Sequence, residues 1–383
     1  MTTASQSHSD VLIVGGGPAG AAAAILLAQQ GRAVQIIEKF PAAHHKVCGE
    51  FLSHEALSYL ERLGVDLPAL GAASIQRLRL AASRLIAECD LPFPAMSLSR
   101  RTLDEALLQC AVNAGATVLR GCRVESLARA GSNWTARLSN GDLRSASNAF
   151  LATGKHDLGG HPRPPGRQND LISFKMYYRL APTQQAALKH HVELIVFPGG
   201  YAGLQLVEDG TANLCLLVSR KQLHACGGMW NGLIARILRS SQFLCERLHQ
   251  ATPQLEKPLA LSSIPYGLLQ QHASDGLFRL GDQAAVIPSF SGDGMSIALH
   301  SAHVAARIFL AGCNADSYQY RLARELSYSV SVATAVSRSV IASPGLVHLA
   351  RLCPPVLRQI ARGTRVPTYA MLESAHPVTG VTN

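Results

Sequence analysis

Asp10-Val11-Leu12-Ile13-Val14-Gly15-Gly16-Gly17-Pro18-Ala19-Gly20 is the stretch that decides the fold. A short apolar strand runs into a Gly-x-Gly-x-x-Gly turn. Ala19–Gln30 then continues as a run of strong helix formers that stops near Gly31. Val34–Glu38 reads as a second short strand. In such a β-α-β unit Gly15 permits the tight turn, Gly17 lets the backbone approach a pyrophosphate, and Gly20 lets helix and strand pack closely. Pro18 and Ala19 open the helix, whose free N–H groups and partial positive charge face the phosphates. Glu38 ends the second strand at the distance where an acid bonds a ribose hydroxyl, and Lys39 follows it among the expected contacts. The hexamer alone is weak. Inside its strand–turn–helix–strand frame it makes a Rossmann-type dinucleotide site the expectation.

Outward from this unit, Ser53–Leu63 reads as a helix and Ser74–Leu91 as a weakly alternating hairpin. Leu103–Ala114 reads as a helix with Asp104 and Glu105 in its first turn, which favours the positive end of the dipole. Short strands are expected at Thr117–Leu119, Val124–Leu127, Trp134–Leu138 and Ala149–Ala152. A Pro-, Gly- and Arg-containing crossover at Gly159–Gly166 follows. Leu171–Val218 has the texture of an antiparallel meander, with turns at Pro198–Gly200 and Glu208–Gly210. Met229–His249 is helical in pattern, and near Phe278 the strand-then-glycine texture returns before a helix from Gly294. From Arg324 the chain is mostly helical, with breaks at Pro344 and Pro354–Pro355. The expected class is α/β (α+β): a Rossmann-type domain from residues 1–73, 99–170 and 267–325, an inserted antiparallel β-sheet substrate domain from 74–98 and 171–266, and a C-terminal helical segment, 326–383.

With 48% hydrophobic and 16% charged residues, the 383-residue chain can bury a sizeable core, and disorder is not expected. The polar start lacks a secretory pattern, no apolar run reaches membrane-spanning length, and lipidation motifs are absent. Nine irregularly spaced cysteines without a CxxC argue against a zinc site or dithiol pair and for a reducing cytoplasm. The net charge of +10 is dispersed and not interleaved with aromatics, so nucleic acid is not an expected partner. Fifteen histidines raise a metal question. The pairs His44–His45, His190–His191 and His300/His303 lack the acidic company or common direction that a metal needs, so no metal is expected. A serine hydrolase is excluded by the lack of a G-x-S-x-G elbow.

A second glycine-rich signal lies far along the chain: Gly281-Asp282, Pro288, then Gly292-Asp293-Gly294-Met295 leading into a helix. The two signals together resemble the flavoproteins that group with para-hydroxybenzoate hydroxylase and geranylgeranyl reductase. That resemblance implies FAD as cofactor, with Asp282 on the ribityl chain. It also implies that Pro288, Gly292, Gly294 and Met295 bring a helix N-terminus to the flavin; Asp293 reads as that helix's N-cap. Ser99-Arg100-Arg101-Thr102-Leu103-Asp104 looks like the family's S-R-x-x-L-D segment, which makes Arg100 a cofactor residue. Val124 matches the strand that meets the adenine, and Thr153 and Gly154 match the A-T-G turn that closes the sheet. Lys46-Val47-Cys48-Gly49 looks like the K-x-C-G segment of the geranylgeranyl reductase-like branch, which implies that Lys46, Cys48 and Gly49 approach the flavin and makes Cys48 the catalytic candidate. Phe197-Pro198-Gly199-Gly200-Tyr201 is similar to an aromatic-proline-glycine element of that branch, making Phe197 and Tyr201 substrate candidates, against the plainer reading of a hairpin turn.

Departures matter too. The hydroxylases' Asp-Gly motif is replaced by Lys155-His156-Asp157-Leu158-Gly159-Gly160, and no second dinucleotide fingerprint occurs. NAD(P)H is therefore expected only at a shallow transient site; the alternative electron source is a flavin-reducing partner protein. The halogenases' W-x-W-x-x-P element is absent, which disfavours halogenation. The leading expectation is an FAD-dependent monooxygenase that hydroxylates a small hydrophobic aromatic or polyketide-type molecule through a flavin hydroperoxide. The alternatives are a reductase of isoprenoid or lipid double bonds and a dehydrogenase of an acyl group held on a carrier protein. Val330–Arg365, apolar with five arginines and no acid, adds a choice between peripheral contact with an anionic membrane and a helical cap on the flavin domain, the cap being preferred.

Overall fold

The computed structural model describes residues 8–342, 359 and 362–375. In chain order the elements are β1 (His8–Val14), α1 (Pro18–Ala28), β2 (Val34–Glu38), β3 (Phe51–Leu52), α2 (His54–Arg62), β4 (Ala73–Ala82), β5 (Leu85–Ser97), α3 (Arg100–Asn113), β6 (Thr117–Arg120), β7 (Val124–Ala130), β8 (Asn133–Leu138) and β9 (Leu143–Leu151). There follow β10 (Leu171–Arg179), α4 (Pro182–Leu188), β11 (His190–Phe197), β12 (Gly200–Leu206), β13 (Ala212–Ser219), α5 (Arg220–His224), α6 (Trp230–Ser240), α7 (Gln242–Arg247), β14 (Thr252–Pro253), β15 (Leu259–Ser262), β16 (Phe278–Arg279), α8 (Gly294–Leu310), α9 (Ala315–Ala342) and α10 (Thr368–Ala375).

One sheet runs β6-β2-β1-β9-β8-β7, with β16 also paired to β9. Its β6, β2, β1 and β9 are parallel, as the β-α-β reading requires. Val11 and Ile13 point into the cluster formed with α1, α3 and α8, whereas Leu12 and Val14 join Trp134, Leu138 and Leu158 on the other face. Burial on both faces explains why this strand is continuously apolar rather than alternating. Ala21–Ala24 are fully buried, and such small side chains let α1 pack closely on α3 and α8. Gly20 is required by contact: a Cβ there would lie 2.0 Å from the Gly15 carbonyl oxygen.

The other sheet runs β14-β10-β13-β12-β11-β4-β5-β3, with β15 also on β10. It is not wholly antiparallel: β4 and β11 pair in parallel, from Ile75↔His190 to Ala82↔Val196. Phe174, Met176, Leu214 and Leu216 pack on one face beneath α5, α6 and α7. Leu80, Val196, Tyr201 and Leu217 occupy the other, with Tyr266, Val286 and Val340.

Several expectations change in detail. Phe51 and Leu52, assigned to the dinucleotide domain, pair with Ser97 and Met96 at the edge of the second sheet. The boundary placed at 325/326 falls inside α9, because no glycine or proline interrupts Ala315–Ala342. Helix α3 starts at Arg100, where Ser99 caps it by accepting from Thr102 N at 3.2 Å. Asp104 therefore lies in the second turn rather than the first. Met229–His249 divides into α6 and α7 at Ser241, whose extended backbone lets its hydroxyl accept from Leu244 N. Pro344, Pro354, Pro355, Arg351 and Arg358 lie outside the described residues.

Candidate cofactor and substrate site

A cavity of about 850 Å³ opens between the two sheets, within the usual size of a ligand or cofactor site. The sequence-chosen residues converge on it from separate parts of the chain. Gly15, Gly17, Pro18 and Ala19 come from the β1–α1 turn, and Glu38 and Lys39 from the end of β2. Lys46, Cys48 and Gly49 come from the following loop, Arg100 from α3 and Val124 from β7. Thr153 and Gly154 follow β9, Asp282 follows β16, and Gly292, Gly294 and Met295 lead into α8. Gly20 is not in the wall; it serves the helix–strand contact described above. Pro288 is not in the wall either, although its neighbours Ile287 and Ser289 are.

The turn has the geometry of a phosphate cradle. Glu38 Oε2 accepts from Gly16 N at 2.8 Å and Oε1 from Phe40 N at 3.1 Å, which fixes the carboxylate beside the turn. A Cβ on Gly17 would stand 3.4 Å from Arg100 Nη2, so the guanidinium lies against the turn. Arg100 is held by a two-point ion pair with Asp104 (Nε–Oδ1 2.7 Å, Nη2–Oδ2 2.9 Å), and Lys46 Nζ reaches the same carboxylate at 2.8 Å. Burial opposes ionisation of Asp104, but Arg100 and Lys46 prevail and hold its pKa below the ordinary value. Around the rim, burial and then neighbouring cations lower the pKa values of His44, His45 and His156. At neutral pH these rings are uncharged. At the other end, Gly292 has φ 75°, and a Cβ there would meet the Phe51 ring at 2.6 Å. That glycine lets Phe51 close against the start of α8, whose N-terminal N–H groups favour negative charge in the cavity.

The loop Lys46–Phe51 is a partition held from both sides. Asn213 Nδ2 donates to Cys48 O at 3.1 Å and Gly49 O at 2.9 Å, and Lys155 Nζ donates to Val47 O at 3.2 Å. Cys48 Sγ accepts from Glu50 N at 3.3 Å. Glu50, in the left-handed region at φ 62°, is fully buried. Its carboxylate accepts from Arg100 N at 2.7 Å and from Tyr177 Oη at 2.7 and 2.8 Å, and lies 2.5 Å from Lys175 Nζ. The lysine contact is ionic, off the line of a hydrogen bond, and Nζ has no other polar partner among the described residues. Burial raises the Glu50 pKa, with Lys175 the largest opposing influence. The sequence reading missed Glu50, Lys175, Tyr177 and Asn213. One signal was available: Lys175 is a cation in the middle of the mainly apolar body of β10, away from Arg179 at its end.

A second, apolar cavity of about 140 Å³ shares Gly49, Phe51, Cys215, Ser289 and Gly292 with the first. Leu80 and Leu194 of the second sheet and Val336 and Val340 of α9 line it, and Tyr201 is in its wall. Burial pushes the Cys215 thiol up to about 11. Burial also raises the Tyr201 phenol, whose oxygen meets Ser289 Oγ at 3.2 Å and accepts from Phe290 N. Phe197 is not brought here. Alternation along β11 turns its ring into the cluster under α5–α7, so it packs in the core and lines neither cavity. Asp293 is fully buried; Arg365, from the segment before α10, pairs with it at 2.8 Å and also borders the second cavity. His300 takes part in packing rather than in this site, meeting Tyr59 Oη at 2.7 Å and Glu325 Oε2 at 2.8 Å.

A parallel sheet with this turn, acid and distant second glycine motif defines a dinucleotide-binding oxidoreductase with a second sheet joined to it. Comparison with known proteins agrees. Residues 8–148 match a family described as an FAD binding domain. The chain is 22% identical to a menaquinone reductase of Mycolicibacterium smegmatis (80% of this chain, 77% of the relative). It is 24% identical to digeranylgeranylglycerophospholipid reductase 2 of Methanopyrus kandleri (78% and 76%). It is 26% identical to the flavin-dependent halogenase armH4 of Armillaria mellea (85% and 69%). Among solved structures, a flavoprotein/dehydrogenase from Cytophaga hutchinsonii superposes with a TM-score of 0.78 at 15% identity, over 93% of both chains. The halogenase PltM, in complex with phloroglucinol and FAD, gives 0.74 at 17% identity, over 87% of this chain and 76% of that one. Residues 8–148 are thus an FAD binding domain, the chain is similar over most of its length to flavin-dependent reductases and halogenases, and FAD is its cofactor.

Proposed function

We propose that the protein is an FAD-dependent monooxygenase acting on a compact hydrophobic aromatic molecule. The observation that carries this reading is the small, mainly apolar cavity directly beyond the Cys48–Phe51 partition, where a ring would lie among apolar side chains and adjoin the cofactor cavity. FAD, when bound, supplies the redox chemistry with oxygen. The chain supplies the rest. Gly17, the α1 N-terminus and Arg100 hold the pyrophosphate, Glu38 the ribose, and Asp282 the ribityl chain. The α8 N-terminus stabilises negative charge at the far end. Electrons come from NAD(P)H docking transiently or from a flavin-reducing protein; anaerobic bleaching of the flavin by NADPH alone selects the first.

The test is to reduce the bound flavin without oxygen, mix it with oxygenated buffer and a panel of alkylphenols, and analyse products by mass spectrometry. A product heavier by one oxygen, labelled by ¹⁸O₂, supports the proposal. Peroxide as the sole oxygen product across the panel rejects it.

A second reading is favoured by a different observation. Lys46 and Cys48 line the cofactor cavity, and relatives named as menaquinone and digeranylgeranylglycerophospholipid reductases resemble the chain over about four-fifths of its length. In that reading FAD, when bound and reduced, would supply the hydride for an isoprenoid double bond, and a group of the chain near it would supply the proton. Anaerobic saturation of menaquinone by the reduced holoenzyme, lost in Cys48→Ala, would support it.

A further inference from the structure

Strand β12 presents Tyr201, Gly203 and Gln205 on one face, and all three line the small cavity. The glycine between the other two is not there for its backbone: its φ is ordinary, and a Cβ would meet a single atom within 4 Å, Cys215 O at 3.8 Å. A strand interior favours a larger residue, and glycine there commonly marks close approach of a ligand. Its cross-strand partners are Leu194 and Cys215, so the gap is a floor bounded by side chains. An apolar cavity of roughly 150 Å³ holds one benzene ring, and this one is about 140 Å³.

At one end of that floor stands Gln205, 3% exposed, with its Nε2 lacking any hydrogen-bond partner among the described residues. Of its neighbours, Asn213 Nδ2 donates to the Cys48 and Gly49 carbonyls, and the Tyr201 oxygen meets Ser289 Oγ and accepts from Phe290 N. A buried amide donor left unmet is unfavourable, and a ligand oxygen beside it removes that cost. We infer that Gly203 and Gln205 form a slot for a single planar ring, which lies over Gly203 and places a phenolic or carbonyl oxygen against the Gln205 amide. This deepens the proposed function and rests on its premise that a hydrophobic molecule binds in this cavity. The slot makes Gln205 a specificity determinant and orients the ring with its oxygen-bearing carbon at the Gln205 end.

The test needs no turnover. The oxidised holoenzyme is titrated with 4-ethylphenol and with 4-ethyltoluene, which exchange a hydroxyl for a methyl, while the absorbance of the bound flavin is followed. The wild type is expected to prefer the phenol by about tenfold. Gln205→Leu should reduce the preference below twofold while leaving FAD content and affinity for 4-ethyltoluene unchanged. Gly203→Val should abolish binding of both probes with FAD retained. A preference that persists in Gln205→Leu overturns the slot, as does wild-type binding by Gly203→Val or failure of the wild type to distinguish the probes. A preference that behaves as expected, in a protein that never forms hydroxylated product, keeps the slot and removes the monooxygenase reading.

Discussion

Lys175→Met should destabilise the protein in a way that a second substitution reverses. Lys175 and Glu50 are both 0% exposed and lie 2.5 Å apart, so removing the cation leaves a carboxylate with no counter-charge in a dry setting. Breaking such a pair costs about 3–5 kcal/mol. At about 2.1 cal/mol/K per residue for 383 residues, that cost lowers the melting temperature by roughly 4–6 °C. The donors from Tyr177 and Arg100 remain, so the carboxyl can persist by taking up a proton. Its folded pKa is already raised by burial, and losing Lys175 raises it further. A raised carboxyl stabilises the fold at low pH and loses that contribution as pH climbs through the folded pKa. The deficit of Lys175→Met should therefore grow as pH rises from 5 to 8. The Glu50→Gln/Lys175→Met double variant, with neither charge, should recover to within about 2 kcal/mol of the wild type and lose that pH dependence. Differential scanning calorimetry on FAD-saturated protein at both pH values provides the readout. A single variant that melts with the wild type at pH 8, or a double variant no better than the single, would refute the reasoning.

Gly20→Ala would place a Cβ 2.0 Å from Gly15 O, so the protein should be purified poorly folded or without FAD; wild-type flavin content would contradict this. Glu38→Gln should weaken FAD binding by roughly 10- to 100-fold, because two backbone N–H groups and a ribose would lose an ionised acceptor, as read by fluorescence titration of the apoprotein. Asp293 is pushed up to about 7 by burial, against Arg365 and with help from Glu55. Its stabilising contribution is complete below the ordinary 3.8 and gone above about 7. The wild type should thus lose stability relative to Asp293→Asn between pH 5 and pH 8, and a constant difference in melting temperature would exclude that titration.

The cofactor half was legible in the sequence because its requirements are local. A turn that must admit a phosphate needs glycine, and an acid that must reach a ribose ends the next strand. The fold then brings residues as distant as Gly17, Arg100, Thr153 and Asp282 to one cavity. The substrate half was less legible because its side chains are defined by pairings between strands. Phe197 and Tyr201 belong to one short motif, yet the pleat and hairpin send them to opposite faces of the sheet. Glu50 lay inside a recognised segment, but its partners Lys175 and Tyr177 come from a strand more than a hundred residues later. Arg365 meets Asp293 from 72 positions away, beyond the reach of any motif spacing.

The path of the chain has a mechanical consequence. Among the described residues it passes from one sheet to the other four times: between β2 and β3, β5 and β6, β9 and β10, and β15 and β16. Neither sheet is a continuous piece of sequence, so neither can be excised by a single cut or deletion without severing the other. The two must melt as one unit, and ligand bound by either raises the unfolding temperature of both. A protease nick in the crossover at 159–166 would leave two fragments that still need each other to complete either sheet.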